Sequence, residues 1–175
     1  MCGIAGFYTK ENLPEKKNIL KRMNDKLSHR GPDGEGFYSD DLVSFSHKRL
    51  AIIDLNERSN QPFKDKEGNY ILVFNGEIYN YIEIKDLLRE KGFNFNTTSD
   101  TEVLLNSYIC WGENLLNKIK GMFAFAIYDK KKKQVFCARD HFGQKPFFYY
   151  FKEGNFIFSS ELTSLLTHPL IIKEI

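Results

Sequence analysis

Cysteine is scarce in this 175-residue chain, with only Cys2, Cys110 and Cys137 present. An odd count without C-x-x-C spacing excludes a disulfide framework and a structural zinc site, and it fits a reducing cytoplasm. The four histidines, at positions 29, 47, 141 and 168, show no ligand spacing, so no metal is expected. Long apolar runs are missing as well. Nothing approaches the roughly 20 residues of a membrane span, and no basic segment followed by an apolar stretch opens the chain. Charge of one sign is also lacking. Lys plus Arg number 25 against 23 Asp plus Glu, a net of +2 that calls for no polyanionic partner. The run Lys130-Lys131-Lys132-Lys133 reads as the solvated tip of a hairpin, so no nucleic acid is expected there. No Gly-x-x-x-x-Gly-Lys-Ser/Thr loop is present to cradle nucleotide phosphates. Internal repeats and low-complexity linkers are absent, and the length is that of one domain able to bury its own core.

What is present begins with a short buried strand over Gly3 to Tyr8. Pro14 then stands where the first helical turn tolerates it, and Ile19, Leu20, Met23 and Leu27 fall on one face before Gly31 ends the pattern. Arg30 to Gly36 is punctuated too densely for a regular element and reads as a specific loop. Leu42 to Leu50 and Tyr70 to Phe74 read as strands, and Asn75-Gly76 behind the second is a strong hairpin signal. Asn80 to Glu83 and Ser99 to Glu102 carry the spacing of a capping box, predicting helices that run to about Gly92 and Cys110. Met122 to Tyr128, Gln134 to Ala138, Phe147 to Phe151 and Phe156 to Ser159 predict antiparallel strands at regular spacing. Several are apolar on both faces, so the sheet must be covered on each side, which gives an α+β layered domain. A helix starting near Glu161 is cut short by Pro169.

The chemistry starts at Met1-Cys2-Gly3-Ile4-Ala5-Gly6, because removal of Met1 would leave a thiol and a free α-amine on one residue. An α-amine of pKa roughly 7.7–8.0 is partly neutral near pH 7 and can take the thiol proton. Taken alone, Cys2 is equally a small buried hydrophobe opening a strand. It gains meaning from its company: Arg30-Gly31-Pro32-Asp33, Arg49-Leu50-Ala51-Ile52-Ile53-Asp54, Asn75-Gly76-Glu77-Ile78-Tyr79-Asn80 and Ser99-Asp100-Thr101-Glu102. Further on come Gly121 to Ala126, Arg139-Asp140-His141-Phe142-Gly143-Gln144-Lys145-Pro146 and Ser159-Ser160-Glu161-Leu162.

In order and content these segments resemble the glutaminase domain of class II glutamine amidotransferases, most closely that of glutamine-hydrolysing asparagine synthetases. Pro32-Asp33 after Arg30-Gly31 sets the chain apart from the sugar-phosphate branch. The resemblance implies a four-layer αββα sandwich of two mainly antiparallel sheets, the N-terminal nucleophile hydrolase fold. It implies that Cys2 attacks the side-chain amide of L-glutamine, with the Asn75 side chain and the Gly76 N–H as oxyanion donors. It assigns Arg49 to the substrate carboxylate, Glu77 and Asp100 to its α-amino end, and main-chain groups of Leu50, Ala51, Ile52 and Ile53 to the pocket wall. His29, Arg30 and Asp33 read as scaffold and pocket wall, and Cys110 and Cys137 as core thiols. Residues 1–160 would be the glutaminase domain and 161–175 the start of a linker toward an absent ATP-dependent synthetase domain. No Ser-Gly-Gly-x-Asp-Ser type loop of such a domain is present. The glutaminase domain itself would need no cofactor, ATP and Mg belonging to the synthetase. A homodimeric parent, another ammonia acceptor such as a sugar, and a glutamine-binding module without turnover all stay open.

Overall fold

The computed structural model describes residues 1–10 and 13–172. In chain order its elements are β1 (Gly3–Tyr8), α1 (Lys16–Asp25), β2 (Gly34–Ser39), β3 (Val43–Arg49), β4 (Phe63–Lys64), β5 (Tyr70–Ile78), α2 (Tyr81–Glu90), α3 (Asp100–Trp111), β6 (Gly121–Asp129), β7 (Gln134–Arg139), β8 (Phe148–Lys152), β9 (Asn155–Ser159) and α4 (Leu162–Leu165). Two sheets form, ordered β2-β3-β1-β9-β8 and β4-β5-β6-β7, and every pairing between neighbours is antiparallel.

Strand alternation builds the layers, since successive side chains point to opposite faces. Along β5, Ile71 and Val73 join Ile4, Val43, Phe45 and Phe158 of the first sheet in the core between the sheets. Leu72 and Phe74, on the other face, pack with Ile84 and Leu88 of α2 and Val103 and Leu104 of α3. On the outer side of the first sheet, Ala5, Phe7 and Ile157 meet Ile19, Leu20 and Met23 of α1 and Leu165 of α4. The result is the expected α/β/β/α stack. Both sheets are covered on each face, which explains why β6 is apolar on both sides and buried over Phe123–Asp129.

Four local expectations are corrected. Pro14 does not open α1; the chain turns through Glu15 in the left-handed region (φ 63°), and the Glu15 carbonyl starts the helical ladder by accepting from Asn18 and Ile19. Gly34 to Gly36 are not loop but the start of β2, an edge strand paired with β3. Gly36 is required there, because a Cβ would stand 2.0 Å from the Gln61 carbonyl oxygen. Asn75-Gly76 is no hairpin. β5 runs straight through it, with Asn75 opposite Ala124 and Gly76 opposite Phe123, and a Cβ at Gly76 would meet the Met122 carbonyl at 2.4 Å. The glycine serves close strand contact here, not a turn.

Neither capping box closes reciprocally. Asn80 leaves α2 uncapped, and its side chain instead bridges the Lys118 carbonyl and the Lys120 N–H. Ser99 does cap α3 by accepting from Thr101 N–H at 2.9 Å, but Glu102 accepts from the N–H groups of Asn96 and Thr97, holding the entry loop. The lysine tip between β6 and β7 is exposed at Lys130 to Lys133, as expected. Residues 161–172 carry α4, with Leu165 and Ile171 buried against the α1 side, while 173–175 lie outside the described residues.

Candidate active site

Antiparallel pairing of β1 with β3 sets Gly3 against Lys48, so the start of one strand adjoins the end of the other. Cys2 and Arg49 are therefore brought together from 47 positions apart in sequence. Alternation does the rest. Cys2 continues the face of Ile4, Arg49 that of Val43 and Phe45, and Asn75 and Glu77 that of Ile71 and Val73. All are inner faces of the two sheets. They open into one cleft of about 100 Å³, lined also by Met1, His47, Leu50, Ile52, Ile53, Ser59, Gln61, Gly76, Asp100 and Lys145. That is well below the roughly 300–1,000 Å³ of a drug-sized pocket and suits one small polar molecule.

The Cys2 thiol faces the main chain of Leu50, accepting from its N–H at 3.3 Å. Burial pushes the thiol pKa up, against the lowering pull of that N–H, the N-terminal ammonium and Arg49. A thiol shifted this way is little ionised near neutral pH, so a nucleophilic role requires a base beside it. Arg30 fixes the backbone, donating from Nε to the Cys2 carbonyl at 3.0 Å and from Nη1 to Glu161 at 3.0 Å. His29 meets the same carboxylate at 2.8 Å. Both therefore brace the chain behind Cys2, and neither is among the residues lining the cleft, contrary to the expected part in the pocket wall.

Arg49 sits in a cage made by the following loop. Nη1 donates to the Asn56 carbonyl at 3.1 Å and to Asn60 Oδ1 at 2.7 Å, and Nη2 donates to the Asp54 carbonyl. A guanidinium has five N–H donors and three are taken here, so one on Nε and one on Nη2 remain for a carboxylate. Asp33 shapes the same wall by accepting from Ala51 N–H at 2.8 Å. Leu50, Ile52 and Ile53 line the cleft and Ala51 is not among its lining residues, contrary to the expected continuous wall from Leu50 to Ile53.

Opposite lies Asn75, 1% exposed, whose Nδ2 has no hydrogen-bond partner among the described residues. A buried unpaired donor costs about 1–3 kcal/mol, which a native fold retains where a ligand supplies the acceptor. Ser59 Oγ and His47 Nδ1 are similarly unpaired. Asp100, first residue of α3, accepts from Ile78 N–H at 3.1 Å. Burial, joined by the Glu77 charge, pushes its carboxyl pKa up to about 6, even though Ile78 and Thr101 N–H groups pull it down.

A raised folded-state pKa means that Asp100 favours folding when protonated. Its charge costs stability in full above about pH 6, and the cost fades toward the unfolded value of 3.8. Asp100→Asn should therefore melt higher than the parent at pH 7.5, with the gap closing by pH 4, while weakening the cleft's hold on any cationic group. Thermal melts across pH check this; a gap that widens toward acid would contradict it.

Sequence reading missed Gln61, Ser59, His47 and Lys145. Lys145 is 7% exposed, and its Nζ reaches the Met1 sulfur at 3.4 Å. Cys137 is a half-buried residue of β7 whose thiol pKa is pushed far up by desolvation, and it lies away from the cleft.

The whole chain, residues 1–175, matches the family model described as a glutamine amidotransferase domain. Asparagine synthetase [glutamine-hydrolyzing] 3 of Bacillus subtilis is 44% identical over 172 residues, covering 97% of this chain and 28% of that protein. A putative asparagine synthetase [glutamine-hydrolyzing] 2 of Methanocaldococcus jannaschii is 42% identical, covering 100% and 36%. This chain thus spans about a quarter to a third of the length of these curated relatives. Among solved structures, the glutamine phosphoribosylpyrophosphate amidotransferase of B. subtilis in complex with ADP and GMP superposes with a TM-score of 0.78 at 24% identity, over 95% of this chain and 43% of that one. That likeness concerns the fold. The family model spans the whole chain and the two curated relatives are 44% and 42% identical to it: the chain belongs to the glutamine amidotransferase domain family.

Proposed function

We propose that this domain hydrolyses L-glutamine to L-glutamate and ammonia, with Cys2 as an N-terminal nucleophile once Met1 is removed. The observation that carries the reading is the unpaired, buried Asn75 amide in the same cleft as the Cys2 thiol. The remaining Arg49 donors would hold the α-carboxylate of glutamine, and Asp100 with Glu77 its α-ammonium. The side-chain amide is then left facing the thiol.

Each step balances within these groups. The α-amine of Cys2 takes the thiol proton as sulfur adds to the amide carbon, and the carbonyl electron pair moves onto oxygen, where Asn75 Nδ2 and Gly76 N–H would stabilise it. Collapse breaks the C–N bond, the α-ammonium returns its proton to the leaving nitrogen, and ammonia departs from a glutamyl thioester. Water, deprotonated by the same amine, attacks the thioester; sulfur leaves with the electron pair and regains its proton, releasing glutamate. In the parent protein the ammonia would serve an amidation of the kind named in the relatives, glutamine-hydrolysing asparagine synthesis.

Purified chain lacking Met1 should release ammonia and glutamate in equal amounts from L-glutamine. Arg49→Lys should raise KM roughly 10–100-fold, the size of one or two lost charge-assisted hydrogen bonds, because a point charge cannot replace the fork or fill the cage. An unchanged KM would remove Arg49 from the site. Calorimetric glutamine binding with no ammonia released would identify a binding module instead.

A further inference from the structure

Gln61 takes no part in the reaction just described, yet it joins the three elements that would carry it, two through its side chain and the third through its chain neighbour Asn60. It is 8% exposed and lines the cleft. It directly follows Asn60, which cages Arg49. Its Oε1 accepts from the N–H of Phe74, the residue before Asn75, at 2.6 Å, and its Nε2 donates to Oγ1 of Thr101, the residue after Asp100, at 3.5 Å. Its own carbonyl is pressed against β2 at Gly36, so the residue cannot shift without moving that strand.

The need for such a link follows from the sheet edge. β4 is only two residues long and pairs with Ile71 and Leu72, leaving β5 without a neighbouring strand on that side as it approaches Asn75. Phe74 fills both of its backbone positions with side chains instead: Gln61 accepts from its N–H, and His47 Nε2–H donates to its carbonyl at 3.2 Å. Burial lowers the His47 pKa to about 3, so the ring stays neutral and keeps that role across the physiological range.

We propose that Gln61 is the positioning residue of the site. It holds the Arg49 cage, the Asn75 strand and the Asp100 end of α3 at one spacing, so that a substrate gripped at its α-carbon presents its amide oxygen to Asn75. The inference rests on the glutaminase reading. It differs from a stabilising role because a displaced Asn75 harms the transition state more than the ground state, and a misplacement of about 1 Å costs on the order of 10² in rate.

The test compares Gln61→Leu, Gln61→Glu and Thr101→Val with the parent chain in glutamine kcat and KM, thermal melts, and the rate at which iodoacetamide alkylates Cys2. That reagent needs the thiol and its base but neither Arg49 nor Asn75. Gln61→Leu should lower kcat about 10–100-fold with the alkylation rate unchanged. Gln61→Glu, which keeps an acceptor for Phe74 N–H, should lose less. Should Gln61→Leu fail to fold, Thr101→Val decides: a lower kcat with unchanged alkylation supports the proposal. An unchanged kcat in a folded variant, or kcat and alkylation falling together, overturns it. A parent chain that alkylates at Cys2 yet turns over no glutamine strikes instead at the glutaminase reading.

Discussion

Cys2→Ala is expected to abolish glutamine hydrolysis while leaving the melting temperature nearly unchanged. The side chain is half-buried at the mouth of the cleft and makes only weak sulfur contacts with the Leu50 main chain at 3.3 and 3.5 Å, so little packing is lost. The chemical loss is of another order. Removing the nucleophile of a coupled nucleophile and base costs on the order of 10⁶ in kcat in a well-studied hydrolase. No other thiol replaces it, since neither Cys110 nor Cys137 lines the cleft. Retention of Met1 should be nearly as damaging for two reasons. An amide nitrogen cannot accept the proton of a thiol that burial already makes reluctant to ionise, and the Met1 side chain itself lines the cleft, its sulfur against Lys145 Nζ. Intact mass and ammonia release on matched samples check both; full activity with Met1 in place would refute the amine as base.

The second large effect is expected at Asn75→Ala, and it separates chemistry from binding. An amide that meets the oxyanion contributes more in the transition state than in the ground state, so kcat should fall roughly 10²–10³-fold, or about 2.7–4 kcal/mol, while glutamine still binds. Stability should hold or rise, because Nδ2 is already unpaired and its removal costs no hydrogen bond. A role confined to strand packing would lower the melt, binding and turnover together. Unchanged turnover in a folded variant would exclude Asn75 from the oxyanion hole.

Strands whose pattern is set by their own residues are legible in the sequence: β1, β3 and β6 through β9 stand where apolar alternation and turn residues place them. β2 is not, because an edge strand opened by Gly34-Glu35-Gly36 carries turn-like composition, and its glycine is dictated by the distant Gln61 carbonyl. Asn75-Gly76 misleads for a related reason. Hairpin chemistry is a local preference, whereas Gly76 is small because the β6 backbone approaches it. Site residues with distinctive chemistry, Cys2, Arg49, Asn75, Glu77 and Asp100, can be named from resemblance, and the fold gathers them around one cleft. Gln61, Ser59 and His47 cannot. A glutamine, a serine and a histidine carry no signal until the chain brings them to Phe74, Thr101 and the cleft.

The central claim is that Cys2 becomes covalently acylated by glutamine. Chain lacking Met1, mixed with L-glutamine and quenched in acid during turnover, should show by intact mass a population heavier by one glutamyl acyl group. Digestion should place that group on the N-terminal Cys2 peptide, and hydroxylamine should remove it as expected of a thioester. Ammonia release during turnover with no acylated species at any quench time, or an acyl group mapped to another residue, would contradict it.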